Sequence, residues 1–320
     1  MGDPCGGFAH RKRTMNPEKS SGIYDHPYLL LTLAVFFWSV NFIVGRAVRA
    51  DIPPIALAFW RWAVASVLVL FLARPHLGGD WPRMRGHAPL LLLLSVLGVS
   101  AFNTLVYTGL QQTIALNAFL MQSLMPVLIV GLSFLIFRET ITGVQTLGIG
   151  ISLCGAVTII AQGDPEVLLA LSINRGDLLF FTAVVCYAGY SVMLRKRPPI
   201  HPLSFLAVTF VTGSLILLPF YLWETLFVRP FLWSWRAVLA VGYVAIFPSI
   251  VSYFCFNRGV ELAGANRAGL FLHLMPVFGS IMAVLFLGES LAWFHGVGIG
   301  AIASGIYLTT RVGRPKVRPG

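Results

Sequence analysis

Ten stretches of about twenty mainly apolar residues follow one another along this chain, and none carries a carboxylate near its middle. They lie near 28–47, 54–73, 88–108, 114–137, 143–161, 177–195, 203–223, 236–257, 266–287 and 293–310. A hydrocarbon layer about 30 Å thick takes about 20 helical residues at about 1.5 Å each, so each run is long enough to cross it. Backbone N–H and C=O groups find no water in that layer, which limits a spanning chain to helices or closed barrels. The alternating pattern of a membrane barrel is absent. Composition agrees, because 57% hydrophobic and 11% charged residues over 320 leave too little polar surface for a water-soluble body. The expected fold is all-α and integral to the membrane, with ten transmembrane helices.

Residues 1–26, rich in Gly, Pro, Ser, Lys and Arg, are read as a disordered cytoplasmic tail that cannot bury enough apolar surface to fold. The basic cluster at 11–13 ahead of an apolar run has the outline of a secretion signal, but that run is long enough to span and nine follow, so it is read as a retained first helix.

The tetrapeptide LMPV stands at 124–127 and again at 274–277, an interval of 150 residues. Laid on itself at that shift, 102–157 matches 252–307 at fourteen positions, among them Gly109/Gly259, Pro126/Pro276, Glu139/Glu289, Gly148/Gly298 and Gly155/Gly305. Leu and Val coincidences come easily in oily sequence. Pro, Glu and Gly have definite places in a helix or at its end, so their matches mark an internal repeat. One unit holds five spans, an odd number, and the second copy must therefore enter the membrane from the opposite side. The division is a first repeat over 27–161, a linker at 162–173, a second repeat over 174–311 and a basic cytoplasmic tail at 312–320. Two inverted five-helix repeats follow, and charge checks them: with the amino terminus in the cytoplasm, seventeen Lys and Arg fall on that side against five on the other, Arg61 being set aside within a helix. Both termini are placed in the cytoplasm of a multi-pass protein of the plasma (inner) membrane, and the net charge of +11 is a matter of topology and not of nucleic-acid binding.

The "WSVNFIVGRAV" of the first span, "FWRWAVASVLVL" of the second, LMPV followed by FRET or LGES, and the Gly-rich fifth and tenth spans resemble the EamA-type branch of the drug/metabolite transporter superfamily. The likeness covers about 28–311, and the layout is most similar to YddG-like amino-acid exporters. It implies a secondary transporter working by alternating access, with amino-acid export among the activities of the family.

The residues themselves point to a central cavity. Polar and aromatic side chains recur at helical spacing on five spans, and faces correspond across the repeat: Asn41 with Ser191, Asn103 with Tyr253, Ser123 with His273. The candidate substrate-binding set is Trp38, Asn41, Asn103, Tyr107, Gln122, Tyr187, Tyr190, Tyr253 and His273. Each taken singly is as well explained by helix packing, since Asn, Ser and Tyr also bond between membrane helices. Pro126 and Pro276 interrupt backbone bonding inside their spans, as static kinks or as gating hinges. Arg61 bonds carbonyls between helices or takes a substrate carboxylate, and the two stay open. Glu139 and Glu289 are read as caps of the helices that follow. The glycines of 148–155 and 296–305 are expected to buttress each repeat or to form a dimer face. Cys154, Cys186 and Cys255 are read as small buried residues.

No nucleotide motif, no metal-binding cluster and no catalytic triad is found, so no cofactor or metal is expected and the chain is not read as an enzyme. Its partners are the bilayer and a small-molecule substrate; neutral or aromatic amino acids fit a neutral polar cavity with aromatic faces, and the alternatives are an exporter of amphipathic cations or drugs, an uptake carrier and, behind these, a membrane-embedded lipid-modifying enzyme. Monomer and homodimer both remain open. The topology has a direct check: single cysteines placed at positions 80 and 230 should react with an impermeant maleimide from opposite sides of the membrane.

Overall fold

The computed structural model describes residues 22–113, 115–287, 290 and 292–311. Helices account for nearly all of them, and no strand occurs among the described residues. In order these are α1 (Pro27–Ala47), α2 (Pro54–Gly86), α3 (Ala88–Ser95), α4 (Phe102–Gln112), α5 (Ala115–Ser123), α6 (Met125–Phe137), α7 (Gly143–Ile160), α8 (Pro165–Leu169), α9 (Arg175–Met193), α10 (Pro202–Trp223), α11 (Trp235–Ala245), α12 (Ser252–Ala263), α13 (Ala265–Leu270), α14 (Leu274–Leu287) and α15 (Trp293–Arg311). The starts are chemically marked. Proline occupies the first turn of α1, α2, α3, α6 and α10, where its missing N–H costs nothing. Thr142 with Gln145 and Asn174 with Asp177 form reciprocal capping boxes at α7 and α9.

Eight helical stretches among the described residues are long and apolar enough to cross a membrane, against the ten expected. The two C-terminal segments fall short for visible reasons. A 3-10 turn at Phe271–His273 leaves α14 only 14 residues, and the four glycines and His295 of α15 dilute its apolar character.

Helix irregularities repeat at the 150-residue interval. A π-helical stretch at Val96–Ala101 joins α3 to α4, and another at Ile246–Val251 joins α11 to α12. The helix carrying Pro126 is broken at Leu124, between α5 and α6, and the one carrying Pro276 passes through the 3-10 turn ending at His273. Proline removes a donor from the ladder and clashes with the preceding turn, which puts each break just before it.

The halves interlock. α1 lies against α12 and α14 of the second half, α9 against α4 and α6 of the first, while α2 pairs with α10 and α7 with α15. At the last of these contacts the glycines meet as symmetry mates: Gly148 faces Gly305 and Gly155 faces Gly298, so the helices run antiparallel. This corrects the expectation that those motifs buttress each repeat on its own: Gly148, Gly155, Gly298 and Gly305 join the two halves. The cap expected of Glu139 is also corrected. Thr142 caps α7, while Glu139 accepts from Arg195 Nη1 at 2.5 Å; Glu289 lies outside the described residues. Of the cysteines expected to be buried, only Cys255 is, with Cys186 half-buried and Cys154 exposed.

The glycine seam makes a graded prediction. A Cβ on Gly155 would stand 2.7 Å from the Gly298 carbonyl oxygen and 2.8 Å from Ala301 Cβ, whereas one on Gly150 would meet nothing within 4 Å. Gly155→Ala should therefore cost about 1–3 kcal/mol through overpacking, and Gly150→Ala should be neutral or stabilise by up to about 1 kcal/mol. Unfolding of the two variants in detergent, side by side, measures the difference.

Candidate substrate site

Where a membrane helix departs from α-geometry, carbonyls lose their partners and must find donors elsewhere. At the π-stretch of the second half, Pro248 O accepts from Trp38 Nε1 at 2.9 Å and from Arg61 Nη2 at 3.0 Å, both from the first half. At the equivalent stretch of the first half, Gly98 O accepts from Tyr253 Oη of the second. At the break before Pro126, Ser123 O accepts from His273 Nε2 at 2.9 Å. Since that nitrogen donates, Nδ1 is the acceptor in the neutral ring, and Ser152 Oγ donates to it at 2.7 Å. Each released carbonyl is thus met by a side chain of the opposite half.

Arg61, on α2, is the centre of the largest such cluster and is 1% exposed. Its Nε donates to Ser249 Oγ at 2.6 Å, and its Nη1 to Tyr107 Oη at 3.0 Å and to Asn41 Oδ1 at 3.4 Å. Tyr107 Oη donates in turn to Asn41 Oδ1 at 3.1 Å. Beside this cluster is a cavity of about 20 Å³, lined by Trp38, Asn41, Arg61, Asn103, Gln122 and Tyr187 together with Phe42, Phe102, Val106, Leu272 and Met275. Two lining polar atoms, Gln122 Oε1 and Tyr187 Oη, have no hydrogen-bond partner among the described residues.

The sequence-derived residues sort accordingly. Trp38, Asn41, Asn103, Gln122, Tyr187 and Arg61 come together at one cavity. Tyr107 stands behind it, bonded to Arg61 and Asn41. Tyr190 and Tyr253 belong to the aromatic layer that backs it, 5.3 Å and 6.1 Å from Tyr187 between ring centroids. His273 lies between the two helix breaks and is not part of the lining. The apolar walls and Ser249 are additional. Ser249 shared a helical stripe with Tyr253 and Phe256, but nothing in its spacing distinguished a partner for Arg61.

The two ends of the molecule differ. One carries a vestibule of about 480 Å³ walled by Glu139, Arg195, Arg197, Asn257, Glu261 and Arg267, among others. Arg197 Nη2 pairs with Glu261 at 3.1 Å, and Arg258 bridges Glu261 and Asp25, each at 3.2 Å. Between vestibule and cavity stands a partition: Tyr190 Oη donates to Asn257 Oδ1 at 2.9 Å, and Tyr190 packs on Tyr187. At the other end, buried Asp177 accepts from Thr113 Oγ1, from Asn117 Nδ2 at 2.9 Å and from Asn174 N at 2.8 Å. There α4 and α9 touch at Gly109 and Gly176, and Phe180 packs on the lining residue Phe42.

Residues 26–161 and 174–311 each match the EamA-like transporter family. The chain is 29% identical over 292 residues to the uncharacterized transporter YyaM of Bacillus subtilis, covering 89% of this chain and 93% of that protein. It is 29% identical to the uncharacterized transporter YetK of the same organism, over 88% of this chain and 86% of the relative, and 28% identical to an uncharacterized transporter of Archaeoglobus fulgidus, over 88% and 96%. A solved crystal structure with 17% identity superposes with a TM-score of 0.71 over 89% of this chain and 96% of that one, a likeness of fold. Two family repeats spanning nearly the whole of a helical, membrane-embedded chain, and relatives that are transporters along their length, establish that this protein belongs to the EamA-like transporter family.

Proposed function

We propose that this transporter is a secondary carrier moving small organic metabolites, foremost neutral or aromatic amino acids, out of the cell by alternating access around the central cavity. The observation that carries the proposal is the closure of the central cavity on both sides by differently built partitions. A site with room for about one water molecule is separated from a wide vestibule by one tyrosine pair and its asparagine, and is closed on the other side by the Asp177 clasp and touching glycine backbones. Such a site admits cargo only as walls part, and the cycle consists of parting one end while the other holds.

The proposal takes ten spans, repeats over 27–161 and 174–311, tails at 1–26 and 312–320, and both termini in the cytoplasm of the plasma (inner) membrane. On that topology the vestibule faces the cytoplasm and the Asp177 clasp faces outward. Pro126 and Pro276 sit beside the breaks about which the halves rock. The layout likened to YddG-like amino-acid exporters supports the cargo class. The aromatic layer around Tyr187 favours amphipathic cations as a second reading, against which stands the fixed positive charge of Arg61. No span carries a carboxylate near its middle to couple proton movement, so export down a metabolite gradient is the simplest source of drive, with coupling through His273 the alternative.

Purified protein in liposomes loaded with labelled amino acids should give saturable efflux, accelerated by unlabelled substrate on the far side. Linear, non-competable flux would instead make it a channel. Asn257→Ala, which removes the acceptor of Tyr190 at the partition, should change the efflux rate severalfold while leaving thermal stability within about 1 kcal/mol.

A further inference from the structure

The geometry points to Arg61 as the anchor of a carboxylate on the cargo, a deepening that rests on the central cavity being the transport site. A guanidinium keeps its charge in proteins, and Arg61 is fully buried with only neutral acceptors: a serine hydroxyl, a tyrosine hydroxyl, an asparagine oxygen and a backbone carbonyl. None of the ion pairs among the described residues includes it. Its hydrogen bonds are met and its carbon lies 4.8 Å over the Trp62 ring, yet no counter-ion among the described residues balances its charge. Bonding a carbonyl and a serine needs no ion, and a buried charge lacking its counter-ion is the costliest donor for the purpose.

The surroundings specify the missing group. The cavity is lined by this one cation and by no carboxylate, so an entering group with a single negative charge balances it. A phosphate dianion would leave a charge over, and an amine would add a second positive one. Tyr187, 2% exposed, offers an unpartnered hydroxyl able to donate to the second carboxylate oxygen, and Gln122, 3% exposed, offers an unpartnered carbonyl able to accept from a cargo N–H. The other walls are Phe42, Phe102, Val106, Leu272 and Met275, which suit an apolar body behind the acid.

Anchoring also has a structural consequence. A carboxylate is gripped best by two parallel N–H groups of the guanidinium, and four of the five donors of Arg61 are already directed at protein acceptors. The cargo must displace some of them. Displacing Ser249 and Pro248 loosens the tie between α2 and the π-stretch at Ile246–Val251, so recognition and the release of one half from the other share the same atoms.

The test uses the full chain in nanodiscs and two matched probe sets: 3-phenylpropionate, phenylalanine and 2-phenylethylamine, and 4-methylpentanoate, leucine and 3-methylbutylamine. Binding is read from the thermal midpoint and from tryptophan fluorescence. Acid-bearing members of at least one set should bind saturably and the amines should not. Arg61→Lys, which keeps the charge and loses the fork, should weaken acid binding about tenfold or more. Ser249→Ala removes a competing acceptor, together with the Ser249 Oγ bond to Val244 O, and should tighten it severalfold, which holds the proposal to account if Arg61 variants fail to fold. Amines binding as well as acids, no acid binding in either set, unaltered acid affinity in a folded Arg61→Lys, or no tightening in Ser249→Ala would each overturn the anchor. Acid binding that follows these variants without any carrier flux would remove the transport reading and leave the anchor standing; saturable flux of amines with acids ignored would do the reverse.

Discussion

A carbonyl released from its helix inside a membrane must be given a donor, and this protein releases carbonyls at its most interior points. The π-stretches at Val96–Ala101 and Ile246–Val251 and the break ahead of Pro126 lie within spanning stretches, and the donors reach across from the opposite half: Tyr253 to Gly98, Trp38 and Arg61 to Pro248, His273 to Ser123. Irregular helix geometry and the joining of the halves are therefore one arrangement. Trp38, Tyr253 and His273, whose polar atoms would be expensive to leave unbonded in hydrocarbon, are each satisfied by such a carbonyl.

The same bonds are of a kind that the proposed carrier cycle can break and remake. Apolar packing between helices is hard to shift without opening voids, whereas a side chain on a released carbonyl can exchange one acceptor for another. The glycine seam of α7 and α15 supplies the contrast. Backbone meets backbone there with no side chain between, and the contact fixes how the halves sit at that edge. Backbone contact at the seam and hydrogen bonds at the centre are thus two different kinds of tie between the halves.

Much of this was readable beforehand. The duplication at 150 residues, the prolines before each break and the polar residues of the interior stand in the sequence, because proline, glycine and buried polar groups have few reasons to occur in an oily span. Two things were not readable. Helical spacing cannot separate a residue that lines a cavity from one that bonds a neighbouring helix, so Gln122 and His273 looked alike while only Gln122 reaches the cavity. The apolar walls, such as Phe42 and Met275, were silent because Phe and Met are ordinary in any span. The π-stretches had only Gly98 and Pro248 to announce them, and neither residue demands that geometry.

The pairing of Gly148 with Gly305 and of Gly155 with Gly298 is a self-complementary contact, the kind made by two copies of one object related by a two-fold axis. Two separate copies of one repeat, laid antiparallel, could make it without change. Tethering the units in a single polypeptide ensures one of each orientation and frees each to diverge. Asp177 shows that freedom in use: the position equivalent to it, 150 residues earlier, is Pro27, so the clasp at one mouth has no twin at the other. Duplication alone would give two ends of one design, and here a buried carboxylate without a counterpart makes one end chemically unlike the other.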